Sequence, residues 1–201
     1  ALRIEDNTVF AFNLDNIDYQ RMLDDEMVYS CGYWNGAENL SQAQIAKLDL
    51  ICRKLDLKPG MKVLDIGSGW GALLRHASRN YGVTGIGISP AEAQVEFANS
   101  KVGNLPIQYE RLDYRDLEGS FDRIVSVGMM EHVGPKNLKT FFGKCDELLT
   151  DQGIMLHHTI SSNFSKLVTD PFFDKYIFPG GIIPSREVID QYTKSSMRLM
   201  D

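Results

Sequence analysis

The 201-residue chain lacks any concentration of positive charge. Its 21 Lys and Arg stand against 27 Asp and Glu, a formal net charge of −6, and no Lys/Arg block occurs. Binding along a nucleic-acid backbone depends on such a block, so no nucleic acid is expected as the main partner. Also absent is any apolar run near the roughly 18 uncharged residues that a spanning helix needs. The opening residues, ALRIEDN, have neither the charged nor the apolar region of a secretory leader. A soluble, intracellular protein is expected. Cysteine is scarce: Cys31, Cys52 and Cys145 are odd in number and far apart, with no CxxC or His spacing of a zinc site. They read as cytosolic thiols, Cys52 and Cys145 as small core residues. There is no internal repeat and no low-complexity segment.

What is present fits one principal domain. With 43% hydrophobic and 24% charged residues, a chain of this length allows one sizeable buried core. From Lys62 onward, runs with the character of buried strands alternate with helical runs, the pattern of an α/β fold with a mostly parallel central sheet and helices on both faces. Strands are expected over 62–66, 83–88, 107–112, 123–127 and 153–159, helices over 72–80, 91–100 and 138–149, and a turn at Lys58-Pro59-Gly60. Ahead of them, SQAQIAKLDLICRKL (41–55) sets Ile45, Leu48, Ile51, Cys52 and Leu55 at helical spacing behind a Ser41 cap, a face suited to packing on the sheet.

The first 40 residues are rich in Phe, Tyr, Trp, Asn and Asp with little periodicity. Residues 1–57 therefore read as an N-terminal lid or helical arm, and 58–201 as the core. Within the core, 164–184, built around FFDKYIFPGGIIP, is an apolar loop-rich insertion that would cover a pocket. After a helix-like run over 185–196 the chain enters RLMD, where a further strand is expected. Without one, the fifth strand lies on a long apolar edge of the kind that sheets protect. The sequence reads as C-terminally truncated, with the last strands missing.

The glycine loop VLDIGSGWG (63–71) carries the first chemical signal. A buried strand runs through Asp65 into Gly67, Ser68, Gly69 and Gly71, which open the following helix. Glycine permits the tight turn and close ligand approach, and the helix N-terminus offers unpaired N–H groups to an anion. A dinucleotide fold spaces its glycines GxGxxG for a pyrophosphate, whereas GxGxG after an acid suits S-adenosylmethionine. The methionyl carboxylate would meet the helix end and Asp65 the ammonium. A plain strand-to-helix turn is the alternative. Glu92, in ISPAE, is the nearest candidate for a ribose diol, or else an ordinary solvated glutamate at a helix start. Asp113, Tyr114 and Arg115 follow the third strand and either flank the adenine or solvate a loop.

A second polar group lies at the same carboxyl edge. DRIVSVG runs into MMEHVGPKN, which brings Glu131 and His132 there, and the fifth strand ends in LHHTIS. Side chains alternate along a strand, so only one of His157 and His158 points into a given pocket.

YSCGYW (29–34), VLDIGSGWG, DYRDLEGSFDRIVSVGMMEHVGPKN (113–137), LHHTIS and KYIFPGGIIPS (175–185) closely resemble the cyclopropane-fatty-acyl-phospholipid synthases. The resemblance spans most of the chain and implies a Rossmann-like class I methyltransferase fold. It implies S-adenosylmethionine contacts at Tyr29, Ser30, Gly67, Ser68, Gly69, Gly71, Gly87, Ile88, Ser89, Glu92, Tyr114 and Arg115. It further implies a bicarbonate base held by Cys31, Glu131, His158 and the backbone of Ile160. Where the family commonly has Cys and Gln, this chain has Ser68 and Glu92, and Asp15 replaces a glycine of the N-terminal pattern; these departures bear on ribose contacts and lid geometry. Family members also supply a tyrosine to the bicarbonate from beyond Asp201.

The activity implied is methyl transfer to the cis double bond of an unsaturated phospholipid, with ring closure to a cyclopropane; the alternatives are a related S-adenosylmethionine-dependent N-methyltransferase or lipid methyltransferase, or an inactive truncated fragment. That chemistry explains an apolar setting, because a feeble nucleophile reacts through positioning in a dry site, and Tyr33 or Trp34 would stabilise the carbocation. Phe172, Phe173, Ile177, Phe178, Ile182 and Ile183 would line an acyl channel, touch lipid or simply pack. A cytoplasmic location, transient peripheral membrane contact and a homodimer complete the expectation.

Overall fold

The computed structural model describes residues 16–164, 170–176, 183–193, 197–198 and 200; Asp15, Ile177, Phe178 and Ile182 lie outside them. Five parallel strands, β1 (Lys62–Ile66), β2 (Thr84–Ser89), β3 (Ile107–Arg111), β4 (Phe121–Val127) and β5 (Leu149–His158), form one sheet in the order β3-β2-β1-β4-β5. The helices are α1 (Asn16–Met22), α2 (Leu40–Lys54), α3 (Ala72–Tyr81), α4 (Glu92–Ser100), α5 (Met130–Val133), α6 (Leu138–Leu148), α7 (Pro171–Tyr176) and α8 (Arg186–Thr193).

Two apolar layers sandwich the sheet, as its near-continuous hydrophobic strands require. On one face Leu48, Ile51 and Cys52 of α2, Leu73, Leu74 and Ala77 of α3, and Val95 and Ala98 of α4 pack with Val63 and Val125. On the other, Phe141, Phe142, Cys145 and Leu148 of α6 pack with Leu64, Ile66, Ile88 and Ile124, and Val188 and Ile189 of α8 close over them. Each fully buried Leu, Ile or Phe contributes about 1.5–3 kcal/mol relative to an exposed one. Alternation along β1 turns Val63 and Asp65 toward α2 and Leu64 and Ile66 toward α6. Cys52 and Cys145 are fully buried, the core role expected of them.

Three expectations need correction. Helix α2 is capped by Asn39, whose side chain accepts the Gln42 N–H at 3.0 Å, because Asn39 is still extended while Ser41 already lies inside the helix. The exposed side of α2 carries Ile45, and Gln44 and Lys47 are buried in its stead. Strand β5 begins at Leu149, four residues before the expected start. Leu149 pairs with Phe121 and Ile154 with Arg123, and the register irregularity between them absorbs the extra residues. Gly153 sits in this irregular stretch, where an added Cβ would meet the Leu149 Cγ at 2.4 Å.

Candidate functional site

The strand order reverses at β1, with β2 and β3 to one side and β4 and β5 to the other. Ligands of open α/β sheets bind beyond the carboxyl ends of the strands at such a point. A solvent-open cleft of about 1170 Å³ lies there. Its floor is Asp65 and the loop from Gly67 to Trp70 after β1, with Ser89 and Pro90 after β2, Leu112, Asp113 and Tyr114 after β3, and Gly128 and Met129 after β4. Four of the five strands, β1 to β4, therefore deliver a contribution at the same edge.

The glycine loop is shaped by close approach. Gly67, Gly69 and Gly71 all have positive φ, +80°, +53° and +84°, a region costly for other residues. Behind the loop stands Tyr109 of β3, whose hydroxyl donates to the Gly71 carbonyl at 2.6 Å. A Cβ on Gly71 would lie 2.6 Å from the Tyr109 ring, and one on Gly87 would lie 2.5 Å from it. Gly71 and Gly87 thus let loop and strand pack, and neither lines the cleft. Gly69 does line it, and an added Cβ there meets nothing within 4 Å. Helix α3 starts from Gly71 without a side-chain cap, which leaves its first N–H groups available.

Asp65 is 3% exposed and its carboxylate accepts no hydrogen bond from a described residue. Burial pushes it up to about 7, with the Lys47 ammonium acting in the opposite sense. Lys47, from α2, lines the same cleft and is lowered to about 8 by burial, against the pull of Asp24, Cys31 and Asp65. The Ser68 hydroxyl is buried without a partner.

The segment from Met27 to Gly32 crosses the cleft as a strap. Asp24 Oδ1 accepts the Val28 N–H at 2.8 Å after a left-handed Met27. Gln44 Nε2 donates to the carbonyls of Val28 and Ser30 at 3.2 and 2.8 Å, and Lys47 Nζ donates to Ser30 Oγ at 2.6 Å. On the far side of the strap lies a second, solvent-open cavity of about 1070 Å³. Val28, Tyr29, Ser30, Gly128 and His132 line both spaces.

Cys31, Glu131, His158 and Ile160 all line this second cavity. The Ile160 N–H donates to Glu131 Oε1 at 2.6 Å, so in this structure it orients the carboxylate. Glu131 Oε2 and His158 Nδ1 are buried without partners, as is Gln44 Oε1. Glu131 itself is 1% exposed. A buried carboxylate oxygen and a buried ring nitrogen left open each call for a ligand or water as partner. His157 takes the opposite face, as alternation requires. Its Nε2 lies 2.9 Å from Met130 Sδ, its ring packs on Phe141 and Phe142, and burial lowers it to about 4. Burial also lowers His132, with Glu131 opposing.

Other expected residues fall elsewhere. The Glu92 carboxylate reaches outward to Arg111 at 3.0 Å, and Gln94 lines the cleft instead, taking a hydrogen bond from Ser89 Oγ at 2.9 Å. Two residues along a helix turn the side chain through about 200°, which separates their directions. Arg115 forks onto Asp113 at 2.6 and 2.8 Å and leaves Tyr114 alone of the two against the cleft. Tyr33 and Trp34 are exposed and line neither cavity, whereas Tyr29 lines both. Phe172 is exposed on α7. The sequence reading missed Gln44 and Lys47; their signal was a polar interruption of an otherwise apolar helix face. Among the described residues no group of three or more His, Cys, Asp or Glu is placed to hold a metal, and no helix is long and apolar enough to cross a membrane.

A parallel sheet in this order, with a glycine loop after its central strand and a cleft at the switch point, defines the class I methyltransferase fold. The chain belongs to the mycolic acid cyclopropane synthetase family, whose model matches residues 3–201. It is 48% identical over 190 residues to the cyclopropane-fatty-acyl-phospholipid synthase of Escherichia coli (strain K12), covering 94% of this chain and 50% of that protein. A probable fatty acid methyltransferase of Pseudomonas putida is 37% identical over 192 residues, with 90% of this chain and 49% of that one covered. The chain thus spans about half the length of these curated relatives. Among solved structures, mycolic acid cyclopropane synthase CmaA1 complexed with SAH and CTAB superposes with a TM-score of 0.87 at 30% identity, covering 98% of this chain and 75% of that chain.

Proposed function

We propose that this chain carries the cofactor cleft and the anion pocket of an enzyme that methylates the cis double bond of an unsaturated phospholipid acyl chain and closes a cyclopropane ring. The observation that carries the reading is the strap wall. Val28, Tyr29 and Ser30 line both cavities, so a group bound in one is a single layer of residues from a group bound in the other. When bound, S-adenosylmethionine supplies an electrophilic methyl group and bicarbonate supplies the base that ring closure needs.

The residues fit both. Asp65, a buried acceptor without a donor, takes the ammonium; the open space over Gly69 and the uncapped start of α3 suit the amino-acid head. Ser89, Gln94 and Tyr114 border the nucleoside. Gly71 and Gly87 act through the packing of Tyr109, and Glu92 and Arg115 act from outside the cleft. In the second cavity Ile160 fixes Glu131, whose free Oε2 accepts the O–H of the anion, while His158 and Cys31 complete its surroundings. An alkene holds no proton to remove before it attacks, so rate comes from positioning in an apolar space that excludes water. Tyr29 presents an aromatic face to the positive charge that develops on the chain. Exposed Tyr33, Trp34 and Phe172 support transient contact with a lipid surface.

Incubation of the full protein with methyl-labelled S-adenosylmethionine and vesicles of cis-unsaturated phospholipid tests this. The expected acyl chain carries the label, has gained one methylene and has lost its double bond. Label confined to an amine would replace the reading with N-methylation, and an unlabelled lipid would overturn it.

A further inference from the structure

Lys47 is a buried charge that the proposed chemistry leaves without a task. It is 5% exposed, on the cleft side of α2, and its hydrogen-bond partner among the described residues is a neutral hydroxyl, Ser30 Oγ. An ammonium has three donors, so two remain for the cleft that Lys47 lines. Asp65 lines the same cleft with all of its acceptor sites open. Burying a charge is costly unless it is paired; the Asp24 and Asp65 carboxylates attract Lys47, while its hydrogen bond goes to the neutral Ser30 hydroxyl. An open ammonium and an open carboxylate in one cleft are the complement of a zwitterion.

We propose that Lys47 receives the carboxylate of the cofactor's amino-acid head while Asp65 receives its ammonium, so that this buried pair makes the cleft selective for an intact α-amino acid. The inference rests on the S-adenosylmethionine reading. It adds a side-chain partner to the N–H groups of α3 and gives Lys47 a role apart from holding the strap through Ser30. The positive charge is specified by its position: Gln44, one turn earlier on α2, already fastens the strap through two carbonyls, so strap attachment alone does not require an ammonium at 47.

The test compares three ligands by calorimetric titration of the full protein: S-adenosylhomocysteine, its decarboxylated analogue, and methylthioadenosine, which lacks the whole amino-acid head. A charged hydrogen bond predicts that the unaltered protein prefers S-adenosylhomocysteine to the decarboxylated analogue by about tenfold to a hundredfold. In Lys47→Met that preference falls about tenfold, to what the N–H groups of α3 alone provide, while methylthioadenosine binds as before within about twofold. Lys47→Gln, which keeps a donor for Ser30 Oγ, gives the same collapse if Lys47→Met does not fold, and Lys47→Arg restores part of the preference. An unchanged preference in both neutral variants overturns the proposal, as does an equal loss for all three ligands, which would mark Lys47 as a strap support only. Failure of the unaltered protein to bind any of the three would instead remove the cofactor reading itself.

Discussion

Substituting alanine at two glycines of one loop separates packing from ligand space. At Gly71, φ is +84°, and a left-handed alanine costs about 1 kcal/mol. The new Cβ also meets the Tyr109 ring at 2.6 Å, against a phenol already fixed by its hydrogen bond to the Gly71 carbonyl. Overpacking of that kind adds about 1–3 kcal/mol, for a total of about 2–4 kcal/mol. At Gly69, φ is +53° and a Cβ has nothing within 4 Å, so only the backbone cost of about 1 kcal/mol applies. Gly69 lines the cleft, with open space where its Cβ would stand. Urea unfolding without ligand should therefore show Gly71→Ala well below Gly69→Ala in stability. Titration with S-adenosylhomocysteine should show Gly69→Ala weakened by about tenfold or more. Equal stability of the two variants would refute the Tyr109 buttress, and full affinity in Gly69→Ala would refute the placement of the ligand over that glycine.

Asp65 gives a pH dependence of known sign. Its carboxyl is raised to about 7, so below that pH the empty protein holds it neutral and a cationic ammonium loses its partner; affinity for S-adenosylhomocysteine should fall about tenfold per pH unit as pH drops below about 7, and Asp65→Asn should abolish the slope. Glu131→Gln keeps an oxygen for the Ile160 N–H but removes the charge facing the second cavity. It should lower lipid product formation by about a hundredfold or more with S-adenosylhomocysteine affinity unchanged, as measured by acyl-chain mass analysis beside calorimetry.

The strands and the glycine loop were legible because each is a local signal. Buried runs such as Val63 to Ile66 end in glycines that the turn requires, and the structure gives those glycines positive φ. Helix α2 was read in the right place with its face turned, since Ile45 has the hydrophobicity of a core residue while Gln44 and Lys47 are buried through bonds to a strap distant in sequence. Periodicity cannot register bonds of that kind. The start of β5 depended on an irregular register with β4, which no single strand encodes. Glu92 and Gln94 differ by helix phase alone, about 200° over two residues, and that phase depends on where the strand-to-helix junction falls. Cys31, Glu131 and His158 have no local spacing in common. The parallel pairing of β4 with β5 and the strap lying over both bring them to one cavity, and only the family resemblance pointed to them together.

The most direct test traces the fate of the transferred group. The full protein is given S-adenosylmethionine bearing a trideuterated methyl group, with cis-unsaturated phospholipid vesicles, and the deuterium content of the modified acyl chain is measured by mass spectrometry. A methyl transfer completed by a base beside Glu131 and His158 leaves two of the three deuterons in a saturated ring. Retention of all three, in a branched chain, a hydroxylated chain or an N-methyl group, would contradict the account.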